Sequence, residues 1–339
     1  VPTWPREYGG DELTREQYAV LIDELKRIDA RPPLTGRGVN YIGPTLLELG
    51  SADQKARWLP GIARGEGGWA MGYSEPGAGS DLASLSLKAE LDGDRYVLNG
   101  RKIWTSDAGD ADLIFVLART SPEKPKHEGI SLILVDMHQP GVQVRPIRLL
   151  SGASPFNETL FEDAAARADD VIGGVDNGWT VGKRLLQFER STHAGINTSG
   201  SQGGLSESID LAGRLAPYLD RVDGRVADHA MRDRIIRFQQ AAHAQRLSQR
   251  RAIEETQARA PAFTSSVVKL TGALNAQSGH ELVVAAMGTQ GVGWAGDSFS
   301  SAELEATREW LRQKALTIAG GTKEVQLNII AKRVLGLPD

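Results

Sequence analysis

The sequence contains no cysteine. That excludes disulfides, zinc–thiolate centres and cysteine nucleophiles, and a reducing, cytoplasmic setting fits the composition. None of the 339 residues belongs to an apolar run long enough to cross a bilayer as a helix. No signal-peptide pattern is recognisable from Val1 onward. There is no excess of basic residues. Lys and Arg total 39 against 43 Asp and Glu, a formal net charge of −4, which argues against a nucleic-acid surface. The six histidines are scattered, and "HEGIS" at His127 lacks the second histidine of a zinc-binding helix. No G-x-S-x-G elbow accompanies the serines. "EPGAGSD" (75–81) contains a G-x-G, but no P-loop lysine follows it. It also precedes β-type sequence rather than a helix, so it does not form a dinucleotide fingerprint.

What is present divides into three zones. With 40% hydrophobic residues the chain buries a sizeable core in more than one layer or domain. From Glu12 to Trp58 apolar residues recur at helical spacing, as at Leu21, Leu25 and Ile28, and again around Leu46, Leu47 and Leu49. Asp53–Leu59 reads as a short helix capped by Ser51. From Trp69 to about Val171 the segments "RYVLNGRKIW", "DLIFVLART" and "GISLILVDM" are short and β-rich, punctuated by "DGD", "NG" and "PG" turns. From Gly178 on, four helical stretches follow, and "YLDRVDGRVADHA" joins two of them through a glycine turn. The expected fold is α+β: an N-terminal helical domain over 1–70, a middle β-barrel-like domain over 71–175 and a C-terminal four-helix bundle over 176–339.

Separated motifs, in order, carry a family resemblance. "WPREYGG", "YSEPGAGSDLASL" (73–85), "NGRKIWTSDAGDADLIFVLART" (99–120), "GISLILVDMHQPGVQVRPIRLLSG", "DNGWTVGKRLLQFERS" and "IAGGTKEVQLNIIAKRVLGLP" (318–338) together resemble the acyl-CoA dehydrogenase flavoproteins. The N-terminal helical region is shorter than that resemblance leads one to expect. The resemblance implies FAD held between the β domain and the bundle. It carries Met71, Tyr73, Ser74, Gly79 and Ser80 over as flavin neighbours, Ser80 also facing substrate. Trp104 becomes the residue stacked on the flavin ring, and Ser106 a hydroxyl near flavin N5. Backbone N–H groups exposed by a glycine-rich loop, and the flat apolar face of an indole, suit such a ligand. Gly288 and Thr289 of the "MGTQG" loop, with Thr322 and Glu324, are implied to meet FAD at a subunit interface.

One motif departs from the family in an informative way. Many members carry Glu-Gly-Thr at the turn before the last helix, and that glutamate is the catalytic base. Here the turn reads Gly320, Gly321, Thr322. Some relatives, including those acting on branched acyl chains, carry the base on the helix that "LLQFERS" matches, with a small residue at the turn. Glu189 falls on that position, and Arg190 matches an arginine at the CoA-ester end of the site. The bare Gly320 leaves room for a base arriving from another wall, and its N–H remains available to the thioester. The implied reaction is α,β-dehydrogenation of an acyl-CoA to the trans-2-enoyl-CoA.

A second departure is the missing Arg-x-x-Phe-Gly segment, for which Arg232, Arg234 and Arg237 are candidate substitutes. The resemblance implies an electron-transfer flavoprotein as acceptor. It also implies either a homodimer or homotetramer, or a heterotetramer with a paralogous subunit. Two alternatives use the same fold: a non-catalytic or partner-dependent flavin subunit, and a flavin oxidase or monooxygenase.

Overall fold

The structure is a computed structural model that describes residues 1–193, 211–257 and 264–338. Helix α1 (Arg15–Arg27) starts at a capping box, in which the Thr14 hydroxyl accepts from the Gln17 N–H and the Gln17 side chain returns to the Thr14 N–H. A π-helical turn over Gly38–Ile42 leads into α2 (Gly43–Leu49). Ser51 caps α3 (Ala52–Arg64) as the sequence predicts, but the helix runs past Leu59 and ends at a left-handed Gly65. The Gln54 amide, which closes that cap, also donates to the Asp169 and Val171 carbonyls at 2.8 and 2.9 Å. Arg57 pairs with Asp169 and Asp170, so α3 is tied to the sheet at both levels.

The sheet is built from β1 (Trp69–Gly72), β2 (Lys88–Asp92), β3 (Arg95–Ser106), β4 (Leu113–Arg119), β5 (Ile130–Asp136), β6 (Val142–Ile147), β7 (Phe156–Arg167) and β8 (Val171–Ile172). Its order is β6-β7-β3-β2-β4-β5-β8, with β1 added in parallel on β4. The apolar runs "LIFVLAR" and "ISLILVD" have a simple cause. Alternate residues feed two different cores, Phe115, Leu117, Leu132 and Leu134 on one face and Ile114, Val116, Ile133 and Val135 on the other. The first core also takes in Ile42, Leu46, Leu59 and Ile62 from the N-terminal helices.

The "DGD" and "PG" turns fall where the sequence puts them, with Gly93 at φ 63° and Gly141 at φ 87°. "NG" does not. β3 runs straight through Asn99–Gly100, and its register against β7 shifts there. Asn99 and Asp163 instead exchange hydrogen bonds across the strands at 2.9 Å. Gly100 sits so near β2 that a Cβ would come 3.1 Å from the Leu87 Cα. The extra residue of the bulge lies on β7, and the glycine serves a close backbone approach rather than a hairpin.

α4 (Gly178–His193) follows. The described chain forms two compact units, one from Val1–Arg148 and Ser154–Glu189, the other from Leu149–Ala153 and the chain from Arg190 on. The second contains α5 (Leu211–Leu215), α6 (His229–Gln257), α7 (Thr264–Met287), α8 (Ser301–Gln313) and α9 (Lys323–Ile329). Leu211, Leu215, Met231, Leu282, Val283 and Met287 form its main core. Its polar connector turns at Gly224, as the sequence suggests, and the flanking residues pair as a small hairpin, β9 (Arg221–Val222) against β10 (Arg225–Val226). Asp223 and Gly224 close it with φ 49° and 73°, the geometry that Asp-Gly favours in two-residue hairpin loops. Among the described residues no helix is long and apolar enough to cross a membrane.

Candidate active site

The 73–80 loop leaves β1 and folds on itself, with Glu75 and Ala78 exchanging backbone hydrogen bonds at 3.0 Å. Its last turn is open: a Cβ added at Gly77 or Gly79 would touch nothing, and Gly79 and Ser80 are exposed. Met71 and Ser74 are half-buried. The Ser74 carbonyl accepts from the Ile103 N–H at 2.9 Å, so the loop is stitched to the end of β3. There the ladder breaks. Lys102 pairs with Thr159 and Thr105 with Asn157, leaving one extra residue on β3. Trp104 takes φ 61°, a left-handed conformation costly for a bulky residue. The bulge turns its ring outward, 53% exposed, with an edge contact to Phe156 at 6.2 Å. Ser106, half-buried, pairs with Phe156 on β7.

In the same unit, α4 places Gly182, Leu185, Leu186 and Glu189 at i, i+3, i+4 and i+7, one face of the helix. Gly182 admits the Tyr73 phenol, because a Cβ there would lie 3.5 Å from the hydroxyl and 3.3 Å from the Leu117 methyls. Tyr73 is 4% exposed, and its Oη has no hydrogen-bond partner. Burial holds the Tyr73 phenol well above its ordinary value, and the negative charge of Glu189 adds to that. Tyr41 is pushed up to about 12 by burial first and by Glu189 second, while Arg37 opposes the rise. Both phenols therefore stay protonated in the field of the Glu189 carboxylate. Tyr41 carried no signal in the sequence, since one tyrosine in a helical stretch is ordinary core. The Arg190 side chain lies outside the described residues.

Within the second unit, Gly320 and Gly321 both adopt left-handed φ, 64° and 94°, as a bare glycine step allows. A Cβ at Gly320 would have only the Lys269 Cε near it, at 3.8 Å. At Gly321 a Cβ would press 2.6 Å from the Gln326 Nε2. Lys269 of α7 is buried beneath the turn and donates to the Leu316 and Gly321 carbonyls at 3.2 and 2.5 Å. Thr322 caps α9, its hydroxyl accepting from the Val325 N–H, and Glu324 is exposed in the first turn. Gly288 and Thr289 open the short turn that follows α7 and are both exposed. Of the three candidate arginines, Arg237 pairs with Asp233 at 2.7 Å and Arg232 reaches the Val226 carbonyl. Arg234 and Arg237 line a groove of about 460 Å³ between α6 and α7, floored by Phe238 and Leu274.

Together the chain offers an exposed indole at a strained bulge, an open glycine loop stitched beside it and a carboxylate whose charge acts on two phenols. The indole and the open loop fit a flat, amphipathic ring cofactor, and the carboxylate fits an acid–base step. The acyl-CoA dehydrogenase N-terminal, middle and C-terminal domain models match residues 1–66, 70–164 and 176–335. The acyl-CoA dehydrogenase IpdE1 of Mycobacterium tuberculosis is 39% identical over 339 residues, covering 99% of this chain and 84% of that protein. Among solved structures, the Tcur3481-Tcur3483 steroid ACAD superposes with TM-score 0.83 at 30% identity, covering 99% of this chain and 85% of that one. The ChsE4-ChsE5 complex from Mycobacterium tuberculosis gives 0.80 at 28% identity, covering 100% and 86%. The chain belongs to the acyl-CoA dehydrogenase family, and it is accordingly an FAD-dependent oxidoreductase of lipid metabolism.

Proposed function

We propose that the chain dehydrogenates an acyl-CoA thioester between its α- and β-carbons, with Glu189 as the base. The supporting observation is the α4 face, which carries the carboxylate in the same unit as the Tyr73 and Tyr41 phenols, while the turn at Gly320 has no carboxylate. FAD, when bound, supplies the two-electron acceptor for the hydrogen leaving the β-carbon. Trp104 would give it an apolar face, Met71, Ser74, Gly79, Ser80 and Ser106 would line its rim, and Tyr73, with its ring buried, would meet it only through its backbone. Glu189 Oε takes the α-proton. The Gly320 N–H donates to the thioester oxygen as negative charge grows there, which is where a fixed donor lowers a barrier most. Arg190 serves the CoA-ester end. Gly288, Thr289, Thr322 and Glu324 contact FAD from a second subunit, a copy of this chain or a paralogue, and an electron-transfer flavoprotein takes the electrons on.

Similarity to the Tcur3481-Tcur3483 steroid ACAD supports a bulky, ring-bearing acyl group as the first substrate class to test. The experiment is anaerobic mixing of the FAD-loaded protein with steroid-side-chain and straight-chain CoA thioesters, following flavin absorbance. The proposal expects bleaching by at least one thioester and loss of that bleaching in Glu189→Gln with FAD still bound. Bleaching at the wild-type rate by Glu189→Gln contradicts it.

A further inference from the structure

Two opposite charges are buried against each other behind the exposed indole. Lys102 is 0% exposed and Glu75 is 5% exposed, and the ammonium lies 2.8 Å from Glu75 Oε1. Lys102 also donates to the Tyr73 carbonyl at 3.1 Å. Glu75 is saturated by three further donors, the Ser86 N–H at 2.6 Å, the Ser86 hydroxyl at 2.8 Å and the Leu87 N–H at 2.9 Å. Gly72 makes room for the lysine stem, since a Cβ there would lie 3.1 Å from the Lys102 Cγ. The pair sits at a junction. Lys102 is the last ladder residue before the bulge that turns Trp104 outward, and Glu75 is the residue on which the 73–80 loop closes. With the Ile103 N–H to Ser74 carbonyl bond, these contacts lock residues 73–75 to residues 102–103. Burying two charges is a poor way to gain stability, because desolvation offsets most of the attraction. An apolar pair would hold the core as well but would leave the Tyr73 carbonyl and the loop without a directional tie.

We propose that Lys102 and Glu75 are positioning residues for the cofactor wall: their ion pair fixes the spacing between the Trp104 ring and the 73–80 loop before FAD arrives. The assignment rests on the proposed placement of FAD against Trp104. Neither side chain touches the cofactor; they act through the Tyr73 carbonyl and the bulge.

The test uses Lys102→Met, Glu75→Gln and the double variant, in which both charges are replaced by neutral groups of similar size. Three quantities are read: the melting temperature, the FAD dissociation constant by flavin fluorescence, and the emission of Trp104 in the FAD-free protein. The last is taken as the difference between each chain and its Trp104→Phe counterpart. The double variant is expected to melt within a few degrees of wild type, to bind FAD about tenfold more weakly or worse, and to show shifted Trp104 emission. A double variant that folds, binds FAD with wild-type affinity and leaves Trp104 emission unmoved overturns the proposal. A wild-type protein that binds no FAD refutes the cofactor placement instead, while Trp104 emission still reports on the clamp.

Should the double variant fail to fold, the wild-type protein gives the same answer through pH. Burial lowers the Lys102 ammonium to about 8, and the charged groups facing it are Glu75 and, from β4, Arg119. Arg119 stays protonated and Glu75 ionised between pH 7 and 9, so only Lys102 changes charge there. FAD dissociation should quicken as pH rises through about 8. A flat dissociation rate across that range overturns the proposal.

Discussion

Trp104 shows how much one residue's backbone decides. In regular β alternation it would share a face with Lys102, inside the sheet; at φ 61° it faces out. Trp104→Ala should therefore weaken FAD retention about tenfold or more with little change in melting temperature, because the ring contributes almost nothing to the apo core. Unchanged flavin content would refute that assignment. Lys269 makes a second residue-scale statement. A carboxylate built at Gly320 would sit beside this ammonium, which would lower its pKa and weaken it as a base. Combining Glu189→Gly with Gly320→Glu is accordingly expected to restore little turnover. Recovery to about a tenth of the wild-type rate or better would contradict this, since a misplaced base costs factors of that size or more. His280 gives the pH dependence. It is 8% exposed in α7, and burial, with Arg214 adding, lowers its pKa below the ordinary 6.5. As pH falls through 6.5 the unfolded chain takes up a proton before the folded one, so this contribution to stability is held above pH 6.5 and lost on the acid side. The loss can reach at most about 1.4 kcal/mol per pH unit. His280→Gln should melt with a shallower decline between pH 7 and 5; an unchanged slope would exclude His280 as its source.

At the scale of elements, local chemistry was legible and long-range pairing was not. The Ser51 cap and the "DGD" and "PG" turns follow from residue type alone. The course of β3 through "NG" does not, because it depends on Leu87 and Asp163, which lie far off in sequence. The buried Lys102 left a faint trace. Tyr96, Leu98, Gly100 and Lys102 share one register in "RYVLNGRK", so a lysine falls on the inward face, and only an acidic partner could justify it there. Glu75 in "SEPG" was that partner, but nothing local marks it. Helix α3 offers the stability test. Ser51→Ala removes only its cap and should cost about 1 kcal/mol. Gln54→Leu also strands the Asp169 and Val171 carbonyls, and should cost about 2–4 kcal/mol. Denaturant melts of the two variants check the order; equal losses would mean that the bridge to the sheet carries no weight.

At the scale of the whole molecule, the family and its helix–sheet–helix order could be read from motifs spread along the chain. The proposed base rests on a gap in one motif and a gain in another, the carboxylate missing at Gly320 and present at Glu189. What sequence could not supply is the setting of that carboxylate, because Tyr41 and Tyr73, whose phenols feel its charge, come from segments far off in sequence. The helical unit exposes Ile236, Leu247, Leu274, Ile318 and Leu335. Light scattering on the purified protein should give a dimer or larger, alone or with a paralogue. A monomer with full activity would contradict the shared-cofactor proposal. The central claim, that Glu189 removes the α-proton, has its most direct test in hydrogen exchange. A CoA thioester with sulfur in place of the β-carbon has an acidic α-hydrogen and no hydride to lose, so proton removal is seen alone. With this ligand bound in heavy water, the account predicts deuterium entering at the α-carbon in the wild-type protein. Exchange should be about a hundred- to ten-thousand-fold slower in Glu189→Gln. Exchange at the wild-type rate in Glu189→Gln, with FAD and thioester both bound, would contradict it.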